Sequence, residues 1–234
     1  MSGSRYFWTN GSRPVEIRPL DSGFAISTKV DINSDVTFNT TGADGNPYTI
    51  TIGNGTSGNV ERSGTLNVIG TGTVVDNFTE TSSYALSGAV NVGNQATLAV
   101  IPGKTMTTGT ISVSSNATLQ VAQSDTFALG GGLTLADGAI LGFNFTQKKD
   151  APVLDLTDKT VTVNGQVKVK VTAATGIRPM IKGNQFALTS GGKCTGASVA
   201  LAEGSADWAK GVSVDENGDI VLTLKSTGIY ILVR

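Results

Sequence analysis

The sequence predicts an all-β chain wound as a parallel β-helix, a β-solenoid with capping elements at both ends. Three observations predict it: a composition poor in charge and rich in glycine, strict alternation of apolar and polar residues, and recurrence of one alternating unit in fixed phase. Glycine supplies 30 of the 234 residues, about 13% and nearly twice average usage. Charged residues make up only 15%, against a usual ~25%. A chain of this kind favours turns and strands over solvated helices.

Four segments align without a gap: VNVGNQATLAV (90–100), ISVSSNATLQV (111–121), LTLADGAILGF (133–143) and VTVNGQVKVKV (161–171). Each has apolar residues at its first, third, ninth and eleventh positions and a Gly, Asn, Asp or Ser cluster after the third. The local reading is two short period-2 strands separated by a polar turn. Their starts at 90, 111, 133 and 161 are 21, 22 and 28 residues apart. A repeat of this spacing marks successive coils, with an outward loop around Thr146 to Val153 in the extended member. Weaker relatives lie upstream at Ile50 and Ile52, and at Leu66, Val68 and Val74. Inward Val, Leu and Ile would stack coil on coil, while Thr, Asn, Ser and Gln face water. The alternative is an antiparallel β-sandwich, but hairpin-linked strands show turns every 8 to 12 residues in variable register.

The ends depart from this pattern. Residues 1–29 read as an amino-terminal cap and lead-in, 30–182 as the coils, and 183–234 as final coils, hairpin and cap. Tyr6, Phe7 and Trp8 cluster ahead of Gly11 and Pro14, and GSADWAKG around Trp208 interrupts the strands. An open solenoid end exposes core and unpaired backbone, so these aromatics are expected to cover ends. The competing role for Trp8 and Trp208 is a platform for sugar rings. VSVDENGDIVLTL (212–224) reads as a hairpin, with Asn217 and Gly218 supplying the positive φ of a type I′ turn. The last run, GIYILVR from Gly228, reads as a buried strand or as one that pairs with another molecule.

These residues resemble the secreted β-helical passenger-type proteins of bacteria that carry autotransporter-associated β-strand repeats. The resemblance rests on GTLNVIGTG (64–72), the repeat units above, GGLTLADGAIL from Gly131, GNQFALTSGG from Gly183 and DWAKGVSVDENGDIVL (207–222), about two thirds of the chain. It implies export, a right-handed coil, and a secreted or cell-surface role in adhesion or scaffolding. No amphipathic barrel strands follow Arg234, so the expectation is a chain without the translocator barrel. It would be exported by another route or be a released fragment.

Several function classes are set aside. The net charge of −1 argues against a nucleic-acid partner. Absence of His removes imidazole bases and His metal ligands. Cys194 is the sole cysteine, which excludes an internal disulfide or a CxxC site and suits a buried, inert thiol better than a crosslink. No stretch approaches the ~20 apolar residues of a membrane span, and the first residues do not form an intact signal peptide. No cofactor is implied.

Right-handed β-helices also host polysaccharide lyases and hydrolases, whose sites need clustered charge. The richest cluster is Lys148, Lys149 and Asp150 with Asp155, Asp158 and Lys159 around the extended coil. It reads as a solvated loop, with a substrate-binding or catalytic patch as its rival. Asp215, Asn217 and Asp219 imitate a calcium loop, but Gly218 precedes Asp219 and Ser226 stands where a Glu is needed. Asn-x-Ser/Thr triplets at Asn39, Asn54, Asn77, Asn116 and Asn144 follow from composition. The expected function is a non-catalytic structural or adhesive module. Its partners would be surface glycans or further copies of itself, joined head to tail at strand edges.

Overall fold

The computed structural model describes residues 6–9, 14–26, 29–52, 60–76, 88–101, 105–106, 109–179 and 184–226, with the strands at 6–9, 29–32, 60–62 and 105–106 described by backbone alone. Every element among them is a strand. The strands stack in parallel, coil upon coil, as a β-solenoid. One sheet has seven strands and runs from Val15–Ile17 to Val161–Val163; another has eight and runs from Phe24–Ile26 to Ser198–Leu201.

The register is the one read from the repeats. Val90, Ile111, Leu133 and Val161 are successive partners in the seven-stranded sheet. Leu98, Leu119, Leu141 and Val169 are successive partners in the eight-stranded sheet. All of these except Val161 are buried in one continuous core. Val161 and Val163 are half-buried because their strand is the last of its sheet and no further strand covers it. Parallel pairing throughout these stacks excludes the antiparallel sandwich.

Between the two strands of each repeat the chain turns a corner, and the corner explains the polar cluster. Ala96, Ala117 and Ala139 are fully buried there, and their N–H groups donate to Gly93, Ser114 and Ala136 carbonyls at 3.0, 3.1 and 3.0 Å. Those contacts close four-residue turns. Asn94 and Gln95 both adopt positive φ (51° and 67°), whereas in the next two corners only Asn116 (60°) and Gly138 (74°) do. Asn and Gly tolerate that region with least steric cost, which is why they recur at this place. The backbone also pairs across the corner: Thr118, Ile140 and Lys168 N–H groups donate to Ala96, Ala117 and Ala139 carbonyls, each at 2.9 Å.

A third set of parallel strands completes the coil. Thr105–Met106, Thr126–Leu129, Val153–Asp155 and Thr189–Ser190 form one sheet; Tyr6–Thr9, Lys29–Ile32 and Val60–Arg62 form another. Phe127, Leu129 and Leu154 point inward from this face and are buried. The outward loop of the extended coil is therefore shorter than its sequence length suggests, since Val153 already belongs to a strand.

The carboxyl end is closed by an antiparallel sheet of Gln185–Ala187, Ile220–Leu224 and Ala209–Val214. Trp208 is 6% exposed and meets Phe145 edge to face at 5.3 Å, while Phe186 meets the same ring at 5.4 Å. Trp208 thus covers a coil end and presents no stacking surface to a sugar. The hairpin differs from a type I′ turn: Gly218 has φ 86° and Asn217 does not share it. Asp215 N–H donates to Asp219 O, and Gly218 N–H to Asp215 O, the pattern of a three-residue loop with a glycine bulge. At the other end Val15 and Leu20 are exposed at 36% and 76%. The backbone of Trp8 lies in the strand Tyr6–Thr9. The side chains of Tyr6, Phe7 and Trp8, and the GIYILVR run, lie outside the described residues.

Leu119→Asp places a carboxylate in the core with no partner and should cost several kcal/mol, on the order of what unpaired buried polar groups cost. Thr118→Asp, one residue away on the outward side, should shift stability by under about 1 kcal/mol. Thermal unfolding of the two variants checks the assignment, and equal shifts would contradict it.

Candidate functional site

The outward positions of the solenoid form ladders. On the seven-stranded sheet one column runs through Glu16, Thr37, Asn67, Asn91, Ser112, Thr134 and Thr162, each paired with the next. Asn91 Nδ2 donates to Asn67 Oδ1 at 2.9 Å, so the rungs interact. On the eight-stranded sheet Thr49, Thr73, Thr97 and Thr118 stack in register, continuing through Ile140, Lys168 and Ala200. Beside it stand Thr51, Val75, Ala99, Gln120, Gly142 and Lys170. Parallel strands repeat at about 4.8 Å, so these hydroxyls and amides are set at a constant interval on a rigid surface.

The charged cluster of the extended coil separates into two parts. Lys148, Lys149 and Asp150 are exposed on a loop. Its base is fixed by a reciprocal pair: Ser124 N–H donates to Thr146 Oγ1 at 3.0 Å, and Thr146 N–H donates to Ser124 Oγ at 2.6 Å. Ser124, Asp125, Thr126, Gln147, Lys149, Asp150 and Ala151 line an open groove of about 450 Å³. Asp125 and the Ser124 anchor were missed in sequence because nothing in the repeat marks that corner.

Asp155 and Asp158 lie apart from this groove and serve the next corner. Asp155 Oδ1 accepts from Thr157 Oγ1 (2.6 Å), Thr157 N (3.0 Å) and Ser190 Oγ (3.0 Å). The Thr157 hydroxyl and amide hold its pKa below the ordinary carboxylate value, with Ser190 and the charge of Lys159 acting in the same sense. Asp158 has φ 58° and occupies the left-handed position of a turn closed by Lys159 N–H on Leu156 O. Lys159 Nζ reaches Gly130 O at 3.3 Å. Each of these three charges has a local structural partner or backbone role.

Two further polar clusters are self-satisfied. Asp215 Oδ1 accepts from Asn217 N and Asp219 N at 3.0 and 2.8 Å, folding the carboxylate onto its own hairpin. Asp44 accepts from Asn46 N, Asn46 Nδ2 and Tyr48 Oη at 3.0, 2.7 and 2.6 Å, and the Tyr48 hydroxyl holds the Asp44 pKa down. Among the described residues no group of three or more Cys, Asp or Glu is placed to hold a metal ion. Cys194 is buried, and desolvation, with Asp219 adding to it, pushes its thiol up to about 11.

Two outcomes follow. Because the Asp155 pKa is depressed in the fold, its contribution to stability is present above the unfolded value and lost as pH falls through the folded one. Asp155→Asn should therefore lower Tm at neutral pH and flatten the decline of Tm below about pH 4. For Cys194, modification by a disulfide reagent at pH 8 should proceed only as fast as the protein opens, because the thiol is buried, and its raised pKa slows the reaction further. Full labelling within seconds in native buffer would contradict its burial.

Comparison with known protein families, with curated proteins and with solved structures found no match to the chain.

Proposed function

We propose that this chain is a secreted or surface-displayed bacterial structural and adhesive module, of the type that carries autotransporter-associated β-strand repeats, working without catalysis. The observation that supports this best is the seven-residue polar column on one sheet, matched by the threonine column on another. Single hydroxyl or amide contacts are weak. Many of them on one rigid scaffold act together, because each bound rung raises the effective concentration of the next. Glycans and further copies of the chain are the partners that suit such faces. The amino-terminal strands Val15–Ile17 and Phe24–Ile26 are the outermost of their sheets, and an outermost strand is a template for another.

A second reading, a polysaccharide-binding or polysaccharide-degrading site, has one observation in its favour: the groove that sets Lys149 and Asp150 beside Asp125. In that reading the working carboxylates are Asp125 and Asp150, since Asp155 is engaged by Thr157 and Ser190.

Incubation with a panel of immobilised and soluble polysaccharides separates the two. The adhesive reading expects retention on one or more polymers with no release of reducing ends or unsaturated products. Product release that disappears in an Asp125→Asn/Asp150→Asn variant would replace it with the second.

A further inference from the structure

The eight-stranded sheet differs from the seven-stranded one in charge. Along its two outward columns Lys168 and Lys170 are the only charged side chains, and no carboxylate stands among them. Neither ammonium has an ion-pair or hydrogen-bond partner among the described residues. The two side chains leave the same face of one strand, about 6.6 Å apart at the backbone.

Their surroundings are low. Lys170 is paired with Gly142, and Lys168 with Ile140 and Ala200. Gly142 has no side chain on the outward face, and a Cβ there would lie 3.1 Å from Gln120 Cγ and 3.2 Å from Thr118 Cγ2. The missing side chain lets Gln120 and Thr118 lie close over the strand next to Lys170. Glycine inside a strand commonly marks close approach of another group.

Charge complementarity selects the occupant. Two uncompensated cations at the end of a hydroxyl ladder suit a polymer with both carboxylates and hydroxyls. No aromatic side chain stands on these columns, so neutral sugar rings have no stacking platform. A nucleic acid requires many more neutralised phosphates than two lysines supply.

Building on the adhesive reading, we infer that Lys168 and Lys170 form the anion-reading end of a binding face for uronate-containing polysaccharide, whose sugar hydroxyls run along Thr118, Thr97, Thr73 and Thr49. The lysines read carboxylates; the threonines and Gln120 supply sequence-tolerant hydrogen bonds. Such binding is modest in affinity and weakens with salt.

The test uses the full chain with polygalacturonate and with the same polymer fully methyl-esterified, at low and at physiological ionic strength. Binding of the acidic polymer, loss of binding on esterification, and a drop of about tenfold in Lys168→Gln/Lys170→Gln are expected, the drop corresponding to two exposed charge contacts. Lys148→Gln/Lys149→Gln should bind as the parent does. Both lysine pairs are surface groups, and unchanged thermal unfolding confirms that each variant is folded. Equal binding of the esterified polymer, an unaffected double variant, or stronger binding of single-stranded DNA would each overturn the site. If the neutral ester is bound equally by parent and variant, the lysine site falls and the adhesive reading stands; if neither polymer is bound, the lysine site falls, and the adhesive reading is decided by the wider polysaccharide panel.

Discussion

Everything in this molecule depends on backbone hydrogen bonds made from one coil to the next in an unbroken register. The bonds do not stop at strand ends: Ser114, Ala136 and Asn164 N–H groups each reach the carbonyl at the end of the preceding coil's strand, Val92, Val113 and Leu135. Corners are therefore stacked as tightly as strands. Side-chain direction alternates along a strand, so a slip by one residue would send Leu98, Leu119 and Leu141 to water and bring their outward neighbours Thr97, Thr118 and Ile140 inside. The apolar core and the polar ladders are two outcomes of the same register.

The register also decides which residues are permitted at the corners. A buried corner position directly above and below its equivalents accepts only what the stack can hold, and Ala96, Ala117 and Ala139 fill it. Side chains at outward positions have no such limit, and charge would be tolerated there. The chain nevertheless places mostly Thr, Asn and Ser on them, β-branched Thr being well suited to a pleated surface. Charges gather instead at turns, where Asp155 and Asp215 bind nearby amide hydrogens.

Much of the fold was legible because two faces of the coil recur with nearly constant spacing. Leu98, Leu119, Leu141 and Val169 could be stacked from sequence since nothing is inserted between the strands that carry them. The third face was not legible. Its strands, such as Thr126–Leu129 and Val153–Asp155, lie at variable distances from the repeat, and two to four residues are too few to show a period. The corner alanines were overlooked because alanine carries little pattern by itself, although NQA, SNA and DGA recur in phase. The charge cluster was visible as composition only. Sequence does not reveal that Asp158 occupies a left-handed turn position or that Asp155 faces a threonine, and these facts remove both from the groove. Likewise the hairpin's glycine was correctly marked as a turn residue, while the turn type depended on backbone pairing that composition does not encode.

The aromatic closure of the carboxyl end gives the molecule a direction of unravelling. A solenoid's coils interact with nearest neighbours, so opening proceeds as a front that enters where the neighbour term is weakest. At the carboxyl end that front would have to separate Trp208 and Phe186 from Phe145 and break an antiparallel sheet laid across the core. At the amino-terminal end it meets half-buried Ile17, Phe24 and Ile26 beside exposed Val15 and Leu20. Among the described residues, a front entering from the amino-terminal side would take the rungs at Thr37, Thr49 and Thr73 first and reach Lys168 and Lys170 last.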